Sequence, residues 1–244
     1  METMFGDLTN QEGEKIDSAY SPPADPQDPR IVVLGHGVTG NKDRPLLVAV
    51  ADALRAHGLA TLRISFAGNG ESHGRFEDCT VTKETSDLSS VLDALGDRPI
   101  AYVGHSMGAA VGVLCAAANP RIRVLVSLAG MVHTAQFAER EFGAEIPGSG
   151  SMWDDPSCPL SAAFMEDMRK AGSVLPFGAR VSVPWLLVHG ADDDVVPIAD
   201  SEDIAPTAGG PHRFVRVPGA DHSFTGQLEI VSTEVADWIT NRLN

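Results

Sequence analysis

The stretch from Ile100 to Asn119, IAYVGHSMGAAVGVLCAAAN, constrains the fold more tightly than any other part of this chain. A short apolar run, Ile100 to Val103, meets the turn Gly104-His105-Ser106-Met107-Gly108 and continues into Ala-rich sequence of helical character that stops before Pro120. The pattern predicts a strand, a sharp turn and a helix. A turn this tight strains the backbone at its central residue, and a Cβ two positions to either side would strike the neighbouring strand or helix, so glycine is required on both flanks. Ser106, lifted clear of the sheet, is the candidate nucleophile.

The same alternation recurs along the chain. Ile31 to Leu34 is an apolar run that ends in Gly35-His36-Gly37-Val38-Thr39-Gly40 and leads into a helical segment from about Arg44 to His57. Ala60 to Phe66 ends in Ala67-Gly68-Asn69-Gly70, which lacks the full G-x-G-x-x-G of a dinucleotide site. A helix is expected from Val81 to Leu95, with Val81, Leu88, Val91, Leu92 and Leu95 spaced by three and four. Further strands are expected at Arg121 to Leu128, Trp185 to Val188 and Phe214 to Val217. A terminal helix from about Gln227 to Leu243 would bury Ile230, Val231, Val235, Trp238 and Ile239. Strands alternating with helices imply an α/β fold with a mainly parallel, doubly wound sheet, whose functional groups belong at the carboxyl ends of the strands. Aromatic residues make up only 6% of a chain that is 43% hydrophobic, so its core must be mainly aliphatic, as suits a sheet covered on both faces.

The expected organisation is a single domain over residues 1–244. Met4 to Tyr20 carries two strand-like pieces around Asn10-Gln11-Glu12-Gly13, expected as a hairpin at the sheet edge, before a connector containing Pro22, Pro23, Pro26 and Pro29. Between Gly130 and Pro184 the alternation lapses for about fifty residues, far beyond the roughly 2 to 6 of an ordinary connection. Helical pieces near Thr134 to Ala144 and Ser161 to Ala171 point to a small helical cap inserted at about residues 131–183. Its residues Phe137, Phe142, Met152, Trp153, Phe164, Met165 and Met168 are suited either to line an acyl or aromatic pocket or to fasten the cap to the core.

The formal net charge of -15 opposes nucleic acid and anionic membrane surfaces as partners. No apolar stretch reaches 18 residues and the first twenty lack a signal-peptide pattern, so no membrane insertion and a cytoplasmic location are the expectations. Cys79, Cys115 and Cys158 read as reduced, packed thiols. None of the eight histidines stands in a metal-ligand spacing, so no metal site is expected. A homodimer is compatible with the sequence.

Serine needs a general base, and the base needs an orienting carboxylate. His222 follows the last strand at its carboxyl end and precedes a helix, which makes it the candidate base; His212 lies at the opposite edge, and His189 is expected to pack. The loop after Trp185 to Val188 offers Asp192, Asp193 and Asp194 in succession, and spacing alone leaves the choice open. An acyl-transfer site of this design takes one oxyanion donor from the N–H of the residue after the nucleophile, here Met107, and the other from the early glycine loop.

GHGVTGNKDRP at Gly35 to Pro45, FAGNGESHGRFEDCTV at Phe66 to Val81, GHSMG, HGADDDVVP from His189 and GADHSF at Gly219 to Phe224 together resemble the α/β-hydrolase family over nearly the whole chain. Within it the resemblance is to small capped esterases of the feruloyl or cinnamoyl esterase and monoacylglycerol lipase types. It departs from many relatives at Ser65, where an acidic residue is frequent, and at Ala109, where a glycine is. The resemblance selects Asp193 as the acid and Val38 as the second oxyanion donor. It implies a Ser106-His222-Asp193 hydrolase that cleaves esters of small to medium or aromatic acyl groups through an acyl-enzyme, with no cofactor and a small-molecule ester as its partner. A thioesterase, amidase or peptidase on the same triad is the alternative, and a non-catalytic binding protein of this fold a further one.

Overall fold

In a computed structural model the described residues are 6–243. Seven strands form one sheet in the order β1-β3-β2-β4-β5-β6-β7. They are β1 (Ser18–Ser21), β2 (Ile31–Gly35), β3 (Ala60–Ile64), β4 (Ile100–His105), β5 (Ile122–Leu128), β6 (Trp185–Gly190) and β7 (His212–Val217). Only β1 runs antiparallel to its neighbour; every other pair is parallel. The helices are α1 (Pro45–Ala56), α2 (Val81–Leu95), α3 (Met107–Ala116), α4 (Thr134–Phe142), α5 (Ala162–Ala171), α6 (Ile198–Ile204) and α7 (Leu228–Thr240).

Successive strand residues serve opposite faces, which explains their continuous apolar runs. Ile31, Val33, Ile100 and Tyr102 pack with α2 and α3, whereas Val32, Leu34, Ala101 and Val103 pack with α1 and α7. Two expectations need correction. The expected hairpin, whose first two residues lie outside the described part of the chain, is reduced to one bridge between Thr9 and Lys15, and the edge strand is Ser18–Ser21. Ile230 is 62% exposed, because the terminal helix begins at Leu228 and turns that position outward while Val231, Val235 and Trp238 face the sheet.

The α2 helix starts where Thr80 accepts a hydrogen bond from Lys83 N–H and stops at Gly96, whose φ of 68° leaves the helical range. Its inward face carries two carboxylates beside the expected aliphatics. Asp87 accepts from Ala67 N–H and from the Asn10 amide, tying the N-terminal segment and the β3 loop to the helix. Glu84 is fully buried and its Oε2 has no hydrogen-bond partner among the described residues; burial, then the charges of Asp87 and Asp167, hold its pKa well above the usual carboxylate range. A raised folded-state value means that folding binds a proton, so this carboxyl costs nothing below the unfolded pKa and subtracts stability as pH rises towards the folded one, by at most about 1.4 kcal/mol per pH unit. Glu84→Met should therefore raise Tm by a margin that widens from pH 5 to pH 9. A margin flat across that range in thermal melts would refute this account.

Between β5 and β6, α4 and α5 pack on each other beside α2. Both ends of this insertion are stitched together. Val132 O accepts from Val174 N–H and the Ser173 hydroxyl, and Asp200 on α6 accepts from Val132 and His133 N–H at 2.6 and 3.0 Å.

Candidate active site

The loops after β2, β4, β6 and β7 meet at the carboxyl edge of the sheet. At the β4-α3 turn Ser106 has φ 55° and ψ -120°, a strained conformation for a residue with a side chain, and is 4% exposed. The turn is held through the backbone: Ser106 N–H donates to Leu128 O, and Ser106 O accepts from Ala109 and Met131 N–H. A Cβ on Gly104 would strike Gly108 O, and one on Gly108 would strike His36 O. The flanking glycines are needed because three backbone segments touch here.

Ser106 and His222 line one cavity of about 630 Å³, within the ordinary range for small-molecule sites. His222 Nδ1 lies 2.8 Å from Asp193 Oδ2. A carboxylate only accepts, so the ring proton sits on Nδ1 and leaves Nε2 as the nitrogen able to take a proton. Asp193 is fully buried in its side chain, and its other oxygen accepts from Val195 and Val196 N–H at 2.9 and 2.8 Å. Burial opposes its ionisation, yet the bonds from His189 and His222 prevail and hold it below the usual carboxylate range. Asp192 and Asp194 are exposed, and the residue at the α6 N-cap is Pro197 rather than either of them.

Two further histidines brace this centre. His189 Nδ1 accepts from the Ser201 hydroxyl at 2.7 Å, and its Nε2–H points at Val196 O, 2.9 Å away, and Asp193 Oδ2, 3.2 Å away. The side chain expected only to pack thus holds the same carboxylate oxygen that His222 binds. His105, the second residue of the pentapeptide, donates from Nε2 to His222 O at 2.9 Å with its ring 4.8 Å from that of His222. Burial first, and then the nearby His222, push its pKa down to about 3, so it stays neutral and keeps this bond across the working pH range.

The early glycine loop closes the other side. Gly37 and Val38 line the cavity, and a Cβ on Gly37 would sit 2.6 Å from Ser106 Cβ, so a bare backbone is what lets this loop approach the serine. His36 fastens the loop: its Nδ1 donates to Gly37 O and its Nε2 accepts from Phe66 N–H. Burial lowers its pKa to about 4, keeping it in the neutral form that can do both. Met107 opens α3 with its side chain buried, so its contribution can come only from its N–H, one of the first in a helix that have no intrahelical acceptor.

Of the seven apolar residues singled out in the insertion, six are buried in the core and only Trp153 lines the cavity. Trp153 and Asp154 are consecutive residues with φ of 49° and 58°, and the indole N–H donates to Glu141. A second Ser-His-Asp string exists in Ser173, His133 and Asp203. There the hydroxyl donates to Val132 O and accepts from Leu175 N–H, so its proton is committed to the backbone and not to His133.

With this geometry in view, the sequence profile of the Alpha/beta hydrolase family matches residues 31–231. The chain is 28% identical over 219 residues to an uncharacterized protein of Mycobacterium tuberculosis, covering 88% of this chain and 71% of that one. It is also 28% identical over 185 residues to the mitochondrial palmitoyl-protein thioesterase ABHD10 of Bos taurus, covering 69% of this chain and 58% of the bovine protein. Among solved structures, Est1E from Butyrivibrio proteoclasticus with ferulic acid bound superposes with a TM-score of 0.82 at 25% identity, over 97% of this chain and 98% of the other.

Proposed function

The chain belongs to the α/β-hydrolase family, and from that premise we propose that it is a serine esterase acting on carboxylic esters of small to medium or aromatic acyl groups. One observation carries the reading: Ser106 and His222 face a single cavity, with Asp193 bound behind His222 at 2.8 Å. His222 Nε2 takes the hydroxyl proton as Ser106 Oγ bonds to the ester carbonyl carbon, and the N–H groups of Val38 and Met107 receive the oxyanion. Collapse breaks the bond to the alcohol oxygen, which leaves with the proton held by His222. Water, deprotonated by the same imidazole, then attacks the acyl-enzyme and releases the acid and free Ser106. The insertion acts as a cap whose Trp153 borders the acyl or alcohol group.

A thioesterase acting on the same triad is the second reading, favoured by the 28% identity to a protein named palmitoyl-protein thioesterase. Hydrolysis of 4-nitrophenyl esters from acetate to palmitate, methyl ferulate and the matching S-acyl thioesters separates the two. The esterase reading expects turnover of short or aromatic oxygen esters at least tenfold above the thioesters. Turnover confined to thioesters would favour the second reading, and none on any member would refute both.

A further inference from the structure

Among the described residues that line the Ser106 cavity there is no Asp or Glu and one charged side chain, Arg44. That is the reverse of the chain as a whole, which has 33 acidic residues against 18 lysines and arginines. Arg44 stands just before α1 and is exposed; one guanidinium N–H donates to Thr39 O at 2.9 Å, and no carboxylate pairs with it among the described residues. The acid next to Arg44 in the chain and the acid that holds Trp153 are engaged elsewhere. Asp43 binds Lys42 and Arg63, and Glu141 binds Trp153 and Arg140. A guanidinium presents five donors in a planar fork matched to a carboxylate, and only one of these has a described acceptor. In a molecule with a net charge of -15, an anion approaching from solvent is repelled everywhere except where local positive charge meets it.

We infer that Arg44 makes this site selective for esters that carry a free carboxylate, which pairs with the guanidinium while Ser106 meets the ester carbonyl. The inference rests on the serine-esterase reading and narrows its substrate class. The carboxylate can lie on the alcohol or on the acyl side, and paired substrates distinguish these: 4-acetoxybenzoate against 4-acetoxybenzamide for the alcohol, and phenyl hydrogen glutarate against phenyl pentanoate for the acyl group.

In at least one pair, the ratio of kcat/KM for the carboxylate ester over its neutral partner should fall about tenfold in Arg44→Gln, with Arg44→Lys between the two. Raising NaCl from 0.05 to 0.5 M should compress the wild-type ratio and leave that of Arg44→Gln unchanged. A purely structural role, bracing Thr39, would slow both members of a pair equally and leave the ratio alone. Esters hydrolysed with the same ratio in wild type and Arg44→Gln in both pairs would overturn the inference while sparing the esterase reading. Calorimetric titration of Ser106→Ala with 4-hydroxybenzoate and 4-hydroxybenzamide needs no turnover. Glutaramate against pentanamide does the same for the acyl side. In at least one of these two pairs the carboxylate should bind about tenfold more weakly once Arg44→Gln is added while its neutral partner does not change, and equal binding within both pairs would refute the carboxylate site even if no ester were hydrolysed.

Discussion

Ser106→Ala should lower kcat on every ester the protein hydrolyses by at least about 10⁴-fold and leave the fold intact. The size of the loss follows from the chemistry of the triad, because alanine leaves His222 without the serine hydroxyl to deprotonate and water must replace the nucleophile. Residual hydrolysis, about 10³- to 10⁴-fold over the uncatalysed reaction, would come from the oxyanion N–H groups and substrate positioning. The fold should survive because the bonds that hold Ser106 in the elbow are made by its backbone: Ser106 N–H to Leu128 O, and Ala109 and Met131 N–H to Ser106 O. Alanine meets the same positive φ as serine, so the strain is unchanged. Steady-state kinetics with a thermal melt would check both halves. Activity within tenfold of wild type in a protein of unchanged Tm would show that Ser106 is not the nucleophile.

What could be read from the residues, and what could not, divides along physical lines. The sheet was legible because a strand buried on both faces must be a continuous apolar run, and Ile31 to Leu34 or Ile100 to Val103 has few other uses. The elbow was legible because its glycines answer to collisions with backbone, which no change of partner can relieve. Long-range polar contacts leave no such local mark. Nothing in the neighbourhood of Asp200 announces that its carboxylate secures Val132 and His133, some 68 residues away in sequence. His189 and His105 brace Asp193 and His222 through bonds that depend on where loops cross. The insertion was the least legible part, since burial and pocket lining call for the same apolar residue types, and only placement separated Trp153 from Phe137, Phe142 and the rest. Glu84 ran against pattern altogether: helical spacing puts it on the inward face, where a carboxylate is not expected.

Asp193→Asn should reduce kcat by about 10⁴-fold while KM moves only a few-fold, and the reason lies in which oxygen does what. Oδ1 of Asp193 accepts from two backbone donors, Val195 and Val196 N–H, so an asparagine at this position must keep its carbonyl oxygen there. Its amide group then replaces Oδ2, the atom 2.8 Å from His222 Nδ1 and 3.2 Å from His189 Nε2. An amide N–H facing Nδ1 donates to it, so the imidazole keeps its proton on Nε2 and cannot accept one from Ser106. Losing the useful tautomer of a triad histidine costs about 10⁴ in rate. Stability should fall as well, with a defined sign. The carboxylate is held below its usual range, so its contribution to folding is present at neutral pH and lost only as pH drops below the unfolded value of about 3.9 towards the folded one, and the asparagine variant lacks it throughout. Nitrogen-15 NMR of the His222 ring reads the cause directly, as a move of the proton from Nδ1 to Nε2. A variant that keeps its rate within tenfold would show that Asp193 is not the orienting acid, and would return the choice to Asp192 and Asp194.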